Sequence, residues 1–254
     1  MKFEKIAFLA SSSARGQDAK ARLSAQFGVV SPEEADVIVA LGGDGFMLEA
    51  LHKTQDLSAP VYGMNRGTVG FLMNEFSEEG LEARLAAAEI AEIHPLRMRA
   101  ETEEGAEISA LAINEVSLLR HGAQAAKLKI TVDGKERLGE LVCDGALLST
   151  PAGSTAYNYS AHGPIIPIGA EVLALTAMAA FRPRRWRGAL LPAHARVRFD
   201  VLEAGKRPVA VTADGKGAQN AHWVEIERAP DVTHRILFDP GHGLEERLLR
   251  EQFV

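Results

Sequence analysis

Hydrophobic and polar positions change rhythm partway along the chain. Over roughly the first ninety residues, short apolar runs alternate with segments of helical spacing. KIAFLAS (5–11), DVIVALG (36–42) and PVYGMN (60–65) are brief, continuous and apolar, as buried strands are. Between them, ARGQDAKARLSAQF (14–27) and FMLEALHKT (46–54) carry helical spacing and good helix formers. SEEGLEARLAAAEI (77–90) predicts a third helix, with Ser77 as its cap and acids in its first turn. Strand and helix in alternation predict a parallel sheet covered by helices.

Beyond residue 92 the rhythm becomes that of strands. IHPLRMRAETE (93–103), ISALAINEVSLLR (108–120), AKLKITVDGKE (126–136) and LGELVCDGALLST (138–150) read as strands, with DGK at 133–135 as a hairpin turn. ARVRFDVLE (195–203), RPVAVTADG (207–215) and HWVEIERA (222–229) alternate with period two. EVLALTAMAAF (171–181) reads as one helix, and so does the tail LEERLLREQF (244–253). The expected architecture is an N-terminal α/β domain with a Rossmann-like parallel sheet (1–92), then a β-rich, β-sandwich-like domain (93–238). The tail (239–254) is expected to return to the first domain.

Composition narrows the partners. A chain of 254 residues can build two modest cores. The net charge of -6 gives no reason to expect a nucleic acid held by its phosphates. The single cysteine, Cys143, forbids a disulfide within the chain, as suits a reducing cytoplasm. The N-terminal apolar core IAFLA is too short for a signal peptide. No run reaches the ~18–20 apolar residues of a membrane span.

Three stretches carry candidate chemistry. LGGDG (41–45) lies where a strand becomes a helix. Glycines there let the backbone approach a ligand or take positive φ, and a helix N-terminus offers free N–H groups to phosphate. Asp44 would repel that phosphate unless it has a role of its own. Two roles fit, accepting a proton from an attacking hydroxyl or holding Mg²⁺ against the phosphates. The plain alternative is a helix cap. Asn114–Glu115 interrupts an apolar strand, so one of the two side chains meets the core and needs a partner. The alternatives are a bulge or buried network, or hydrogen bonds to a base and a ribose. CDGALLSTPAGSTAYNYSAHGPIIP (143–167) gathers short hydroxyls, glycine and two tyrosines into a loop suited to a nucleotide, the alternative being an ordinary Ser/Thr turn. Asp214 in VTADGKG reads as a hairpin turn, and RPRRWRG (182–188) as a solvated basic face, the alternative being contact with a phosphate. No histidine pair has metal-ligand spacing, and Ser154 has no recognisable His/Asp partners.

LGGDG (41–45), MNRGTVGFL (64–72), NE (114–115), DG (144–145) and STPAGSTAYNYSAHGPI (149–165) together resemble the bacterial NAD kinases. The resemblance implies transfer of the γ-phosphoryl of ATP, or of polyphosphate, to the 2′-hydroxyl of the adenosine ribose of NAD. It implies a site between the two domains, Mg²⁺ or another divalent cation with ATP, and no metal ligated by protein residues alone. It also implies a homodimer or homotetramer whose subunits share the site. Carried onto this chain, Asp44 is the proton acceptor, and Gly42, Gly43 and Gly45 hold the phosphates. Asn114 and Thr155 contact adenine, Glu115 a ribose, and Tyr157 flanks the base. Asp144, Ala152, Ala156, Asn158 and Ser160 line the rest of the dinucleotide pocket, with Phe71 in the wall beside it. An aspartate is a weak base at neutral pH, so its expected role is orientation with late proton acceptance. Ala152 stands where the family loop commonly has threonine, so a contact there comes from the backbone. Two other classes remain open at this stage: a lipid or sphingoid-base kinase of related fold, and a non-catalytic dinucleotide sensor.

Overall fold

The computed structural model describes residues 3–67 and 70–241. The chain forms two compact units, residues 1–93 with 232–254, and residues 94–231.

The first unit starts with β1 (Ile6–Ala10), α1 (Ala14–Phe27), β2 (Val37–Gly42), α2 (Asp44–Lys53) and β3 (Val61–Asn65). The three strands are parallel, and β2, flanked on both sides, is buried along its whole length. Ser13 caps α1 by accepting the Gly16 N–H at 3.1 Å, and Gly28 ends it at φ 89°. Helix α2 begins two residues before the expected start, at Asp44 itself. The third helix is shorter than expected: α3 spans Leu81–Ala87 and starts from Gly80 at φ 66°. Ser77 is not its cap, since its hydroxyl donates to the Glu79 carbonyl instead. The residues after α3 form β4 (Glu89–Ile93), because a sheet edge there offers backbone partners that outweigh helix propensity.

The second unit is a sandwich of two antiparallel sheets. Its strands are β5 (Leu96–Thr102), β6 (Glu107–Ala112), β7 (Glu115–Arg120), β8 (Ala126–Val132), β9 (Lys135–Cys143) and β10 (Gly145–Ser149). After a short helix, α4 (Tyr157–Ser160), come β11 (Val172–Met178), β12 (Gly188–Pro192), β13 (Val197–Val201), β14 (Val209–Ala213), β15 (Lys216–Ala218) and β16 (Ala221–Arg228). The sheet orders are β12-β11-β10-β7-β14-β15 and β6-β5-β16-β13-β8-β9. Period-two residues such as Leu128/Ile130/Val132, Val197/Phe199/Val201 and Val116/Leu118 fill one shared core. Asp133 and Gly134, both at positive φ, turn β8 into β9.

Two expected single strands are each split between the two sheets. Residues 108–120 leave one sheet after Ala112 and enter the other at Glu115. Residues 138–150 change sheets at Asp144. The polar residues that interrupt the apolar runs therefore mark the crossings. The helix expected over 171–181 is β11 instead. It lies between β10 and β12 and is buried on both faces, so its apolar run carries no alternation to distinguish strand from helix.

The last described strand, β17 (His234–Phe238), belongs to the first unit, so the chain returns at Val232 rather than after 238. It pairs parallel with β3 and antiparallel with β4, completing the order β1-β2-β3-β17-β4. The helix expected over 244–253 lies outside the described residues.

Asn74, 1% exposed, pins this edge of the sheet. Its amide donates to the carbonyls of Gly63 at 3.1 Å and Leu237 at 3.0 Å, and its Oδ1 accepts the Asp239 N–H at 3.0 Å. Asn74→Ala leaves buried backbone groups unpaired and is expected to cost about 1–3 kcal/mol. The check is the urea midpoint, which falls if the three bonds pin the sheet edge and stays at the wild-type value if they do not.

Candidate active site

In the α/β unit the carboxyl ends of three parallel strands converge. The Ser11 N–H donates to Leu41 O at 3.0 Å, and the Arg66 N–H to Gly42 O at 2.6 Å, which ties the ends of β1 and β3 to that of β2. Open α/β sheets bind ligands at this end of their strands. Gly43 is the N-cap of α2, and the first helical bond runs from Met47 N–H to Gly43 O. The amides before Met47 thus point out of the helix end, toward any anion placed there.

The glycines do not supply positive φ, against expectation: Gly42, Gly43 and Gly45 are all absent from the left-handed region, and Gly43 sits at φ -114°. What they supply is bare backbone. A Cβ on Gly43 or Gly45 would meet nothing within 4 Å, which leaves room for a ligand, whereas one on Gly42 would lie 2.7 Å from Phe46 Cβ.

Asp44 is not a cap. It is the first helical residue, and its carboxylate turns aside to the 70–72 segment. Oδ2 accepts the Phe71 N–H at 2.7 Å and Oδ1 the Leu72 N–H at 3.0 Å. Gly70 makes this possible, since a Cβ there would fall 2.3 Å from Asp44 Oδ1. Phe71 thus meets Asp44 through its backbone amide. The guanidinium of Arg66, the residue that follows β3, lies 4.0 Å over the Phe76 ring.

In the β unit, Asn114 and Glu115 stand at the crossing from β6 to β7. The 149–163 segment packs directly on them. Thr150 N–H donates to Asn114 O at 2.9 Å, and Thr150 Oγ1 to Ile113 O at 2.7 Å. Gly153 fits because it has no side chain: a Cβ would lie 2.2 Å from Asn114 O. Thr155 and Ala156 are half-buried, and Tyr157, Tyr159 and Ser160 are exposed beside them, so these residues remain available to a ligand. The Asn114 side-chain amide makes no hydrogen bond among the described residues.

Asn158 and Asp144 are placed differently from expectation. Asn158 is wholly buried and braces the loop, donating to Ser154 O and Pro164 O and accepting from Thr176 Oγ1 at 2.6 Å. Ala152 has its methyl buried, so what it offers is backbone. Asp144 is not brought to the cluster at all. It lies at the far end of β10 from Ser149, which faces Glu115, a separation of roughly 17 Å at the usual rise per residue. There it pairs with Arg120 Nε at 2.6 Å.

Glu115 is the electrostatic centre of the β unit's site. Its Oε2 is buried with no hydrogen-bond partner among the described residues. Burial, and then the negative charge of Asp214, push its carboxyl up to about 7, while the Tyr157 N–H pulls the other way. Asp214 belongs to this site, although the sequence read only as a turn there. Its signal is indirect: an aspartate in a hairpin whose strand neighbours β7.

A bare-glycine turn with an oriented carboxylate in one unit, and an amide, a buried carboxyl and a tyrosine-bearing loop in the other, suit a nucleotide-using phosphotransferase. Comparison with known proteins agrees. Residues 1–91 match the ATP-NAD kinase N-terminal domain and residues 113–234 the ATP-NAD kinase C-terminal domain. An NAD kinase of Cereibacter sphaeroides is 65% identical over 251 residues, 99% of each chain. One of Caulobacter vibrioides is 61% identical over 249 residues, 98% of this chain and 96% of that one. A crystal structure of an NAD kinase from Archaeoglobus fulgidus in complex with ATP superposes with a TM-score of 0.72 at 26% identity, covering 98% of this chain and 96% of that one. Yeast NADH kinase complexed with NADH shares the fold, with a TM-score of 0.75 at 23% identity over 89% of this chain and 69% of that one. The chain belongs to the ATP-NAD kinase family. The lipid-kinase and sensor readings are not favoured.

The raised Glu115 carboxyl has a stability consequence. A carboxyl that holds its proton more tightly when folded contributes stability that is full below its ordinary value of 4.5 and is lost as pH rises through about 7. Denaturation curves from about pH 5 to about pH 8 are expected to show wild type losing stability relative to Glu115→Gln. Parallel pH profiles of the two proteins contradict the assignment.

Proposed function

We propose that this protein phosphorylates NAD, transferring the γ-phosphoryl group of ATP to the 2′-hydroxyl of the adenosine ribose to give NADP. The observation that carries the reading is Asp44, a carboxylate held by two backbone amides at the mouth of a bare-glycine turn. Each oxygen still has a lone pair for a donor, so the carboxylate can orient the attacking hydroxyl and accept its proton late in the transfer. Gly42, Gly43, Gly45 and the first-turn amides of α2 receive the phosphates. Phosphoryl transfer asks mainly for this positioning and for charge stabilisation.

The dinucleotide is read by the β unit. The unused Asn114 amide and Thr155 meet adenine, and the Glu115 carboxyl meets ribose hydroxyls, which supply the partner that Oε2 lacks. Tyr157 covers the base, with Ala152, Ala156 and Ser160 beside it. Asp144 stands a strand's length away, so it serves the pocket of a second copy, in a homodimer or homotetramer with shared sites.

Mg²⁺ enters with ATP. The groups offered at the α2 turn are backbone N–H donors, which suit phosphate oxygens rather than a cation, so the ion would be carried by the triphosphate. When bound, it neutralises phosphate charge during transfer. A reducing cytoplasm, as a single cysteine suits, is the location this reading adopts; Cys143 itself is buried, and that burial pushes its thiol up to about 12. No described helix is long and apolar enough to cross a membrane.

The test is NADP formation by purified protein from NAD with Mg-ATP, run beside inorganic polyphosphate as donor. Wild type is expected to form product with ATP. Asp44→Asn is expected to lower kcat by about 10²-fold or more at near wild-type KM for NAD. No product from wild type, or near-full turnover by the variant, contradicts the proposal.

A further inference from the structure

Asp214 and Gly215 form the two-residue turn between β14 and β15, with φ of 45° and 88°. Asp-Gly is a favoured pair for such a turn, and that alone would account for it. The side chain, however, is not spent on its own hairpin. Oδ2 accepts the Ile113 N–H at 2.5 Å and Oδ1 the Asn114 N–H at 3.0 Å, about a hundred residues earlier in the chain. The Asp214 N–H also approaches Glu115 O at 3.4 Å.

These contacts fall where the chain crosses from β6 to β7 and has no sheet partner for its amides. The carbonyls of the same two residues are taken from the other side by Thr150: Oγ1 donates to Ile113 O, and its N–H to Asn114 O. Each main-chain polar group of Ile113 and Asn114 is therefore bonded, the donors to Asp214 and the acceptors to Thr150. What remains unused at the crossing is the Asn114 amide and Glu115 Oε2. A charged acceptor suits these amides, because hydrogen bonds to an ionised group are shorter and stronger than neutral ones.

We infer that Asp214 is a positioning residue for dinucleotide binding: its carboxylate clamps the Ile113–Asn114 amides and so aims the Asn114 and Glu115 side chains at the ligand. The inference rests on the proposed function for the identity of that ligand. It goes beyond that proposal in placing, outside the ligand's reach, a residue that sets how the ligand is held. A second consequence follows from the same geometry. Asp214 is the charge that faces Glu115. The Tyr157 N–H also reaches that carboxyl, and Ser149 is the register partner of Glu115 on β10. Removing the Asp214 charge lets Glu115 ionise at lower pH.

Asp214→Asn separates the clamp from the turn. Asn-Gly is as good a turn of this type as Asp-Gly, so the hairpin is kept. Yet the amide has one oxygen for two N–H donors and no charge. The NAD dissociation constant is expected to rise about tenfold or more, the loss of one charged hydrogen bond. The ATP dissociation constant should stay within about twofold, since both hydrogen bonds altered by this variant lie within residues 94–231 and the α2 turn keeps all of its own. In carbon-13 NMR of the unliganded protein, the Glu115 midpoint, assigned by its loss in Glu115→Gln, should fall from the wild-type value of about 7. A dissociation constant for NAD near wild type, or an unmoved Glu115 midpoint, overturns the inference. Should wild type bind no NAD at all, the proposed function fails on its own account. The ligand-free titration then decides for Asp214: a fallen midpoint supports it and an unmoved one overturns it.

Discussion

Two hydrogen bonds, from the Phe71 and Leu72 amides to the Asp44 carboxylate, are what the rest of the site depends on. An aspartate among glycines at a helix N-terminus faces the same amides that a phosphate would use, and left free it would compete for them. The 70–72 segment resolves that conflict. It draws the carboxylate to one side, which under the proposed function leaves the turn to the phosphates with the acceptor at its edge. The cost is steric: Gly70 has no space for a side chain, and Asn74 must hold the segment's far end against β3 and β17. Glycine, carboxylate and amide anchor are one device spread over about thirty residues of sequence.

The β unit works by a similar logic. A chain that changes sheets leaves peptide groups without ladder partners, and buried peptide groups must find them. Here the vacancy at Ile113–Asn114 is filled by Asp214 on one side and Thr150 on the other. The main chain of the crossing is thereby fully bonded, and under the proposed function its side chains serve the dinucleotide. Burial, and then the Asp214 charge, hold the Glu115 carboxyl up at about 7, and ribose hydroxyls are suited to hydrogen-bond it.

Much of this was legible in the sequence. The alternation of β1, α1, β2, α2 and β3 follows from short apolar runs and helical spacing, and the sandwich from period-two strands. Glycines at 42, 43 and 45 announced a backbone-lined turn, and Asn114–Glu115 announced a polar group in an apolar strand. What stayed hidden depends on contacts between distant segments. Helix propensity could not foresee that Glu89–Ile93 has an edge strand to join. Burial on both faces erased the alternation that would mark β11 as a strand. The amide anchor of Asp44 and the reach of Asp214 to Ile113 leave no trace in local spacing. The composition of the 143–167 loop pointed to a ligand and could not separate contact residues from braces: Asn158, expected at the ligand, holds the loop itself, as Ser154 does.

The claim that an amide-held carboxylate organises the site is tested most directly by kinetics and thermal unfolding of Gly70→Ala. The added methyl collides with the end of a single side chain rather than with the core, so Asp44 must give way while the fold survives. The account predicts a kcat lowered by about 10²-fold or more, with an unfolding midpoint close to wild type. A Gly70→Ala enzyme that turns over at the wild-type rate would contradict it, because the position of Asp44 would then not matter.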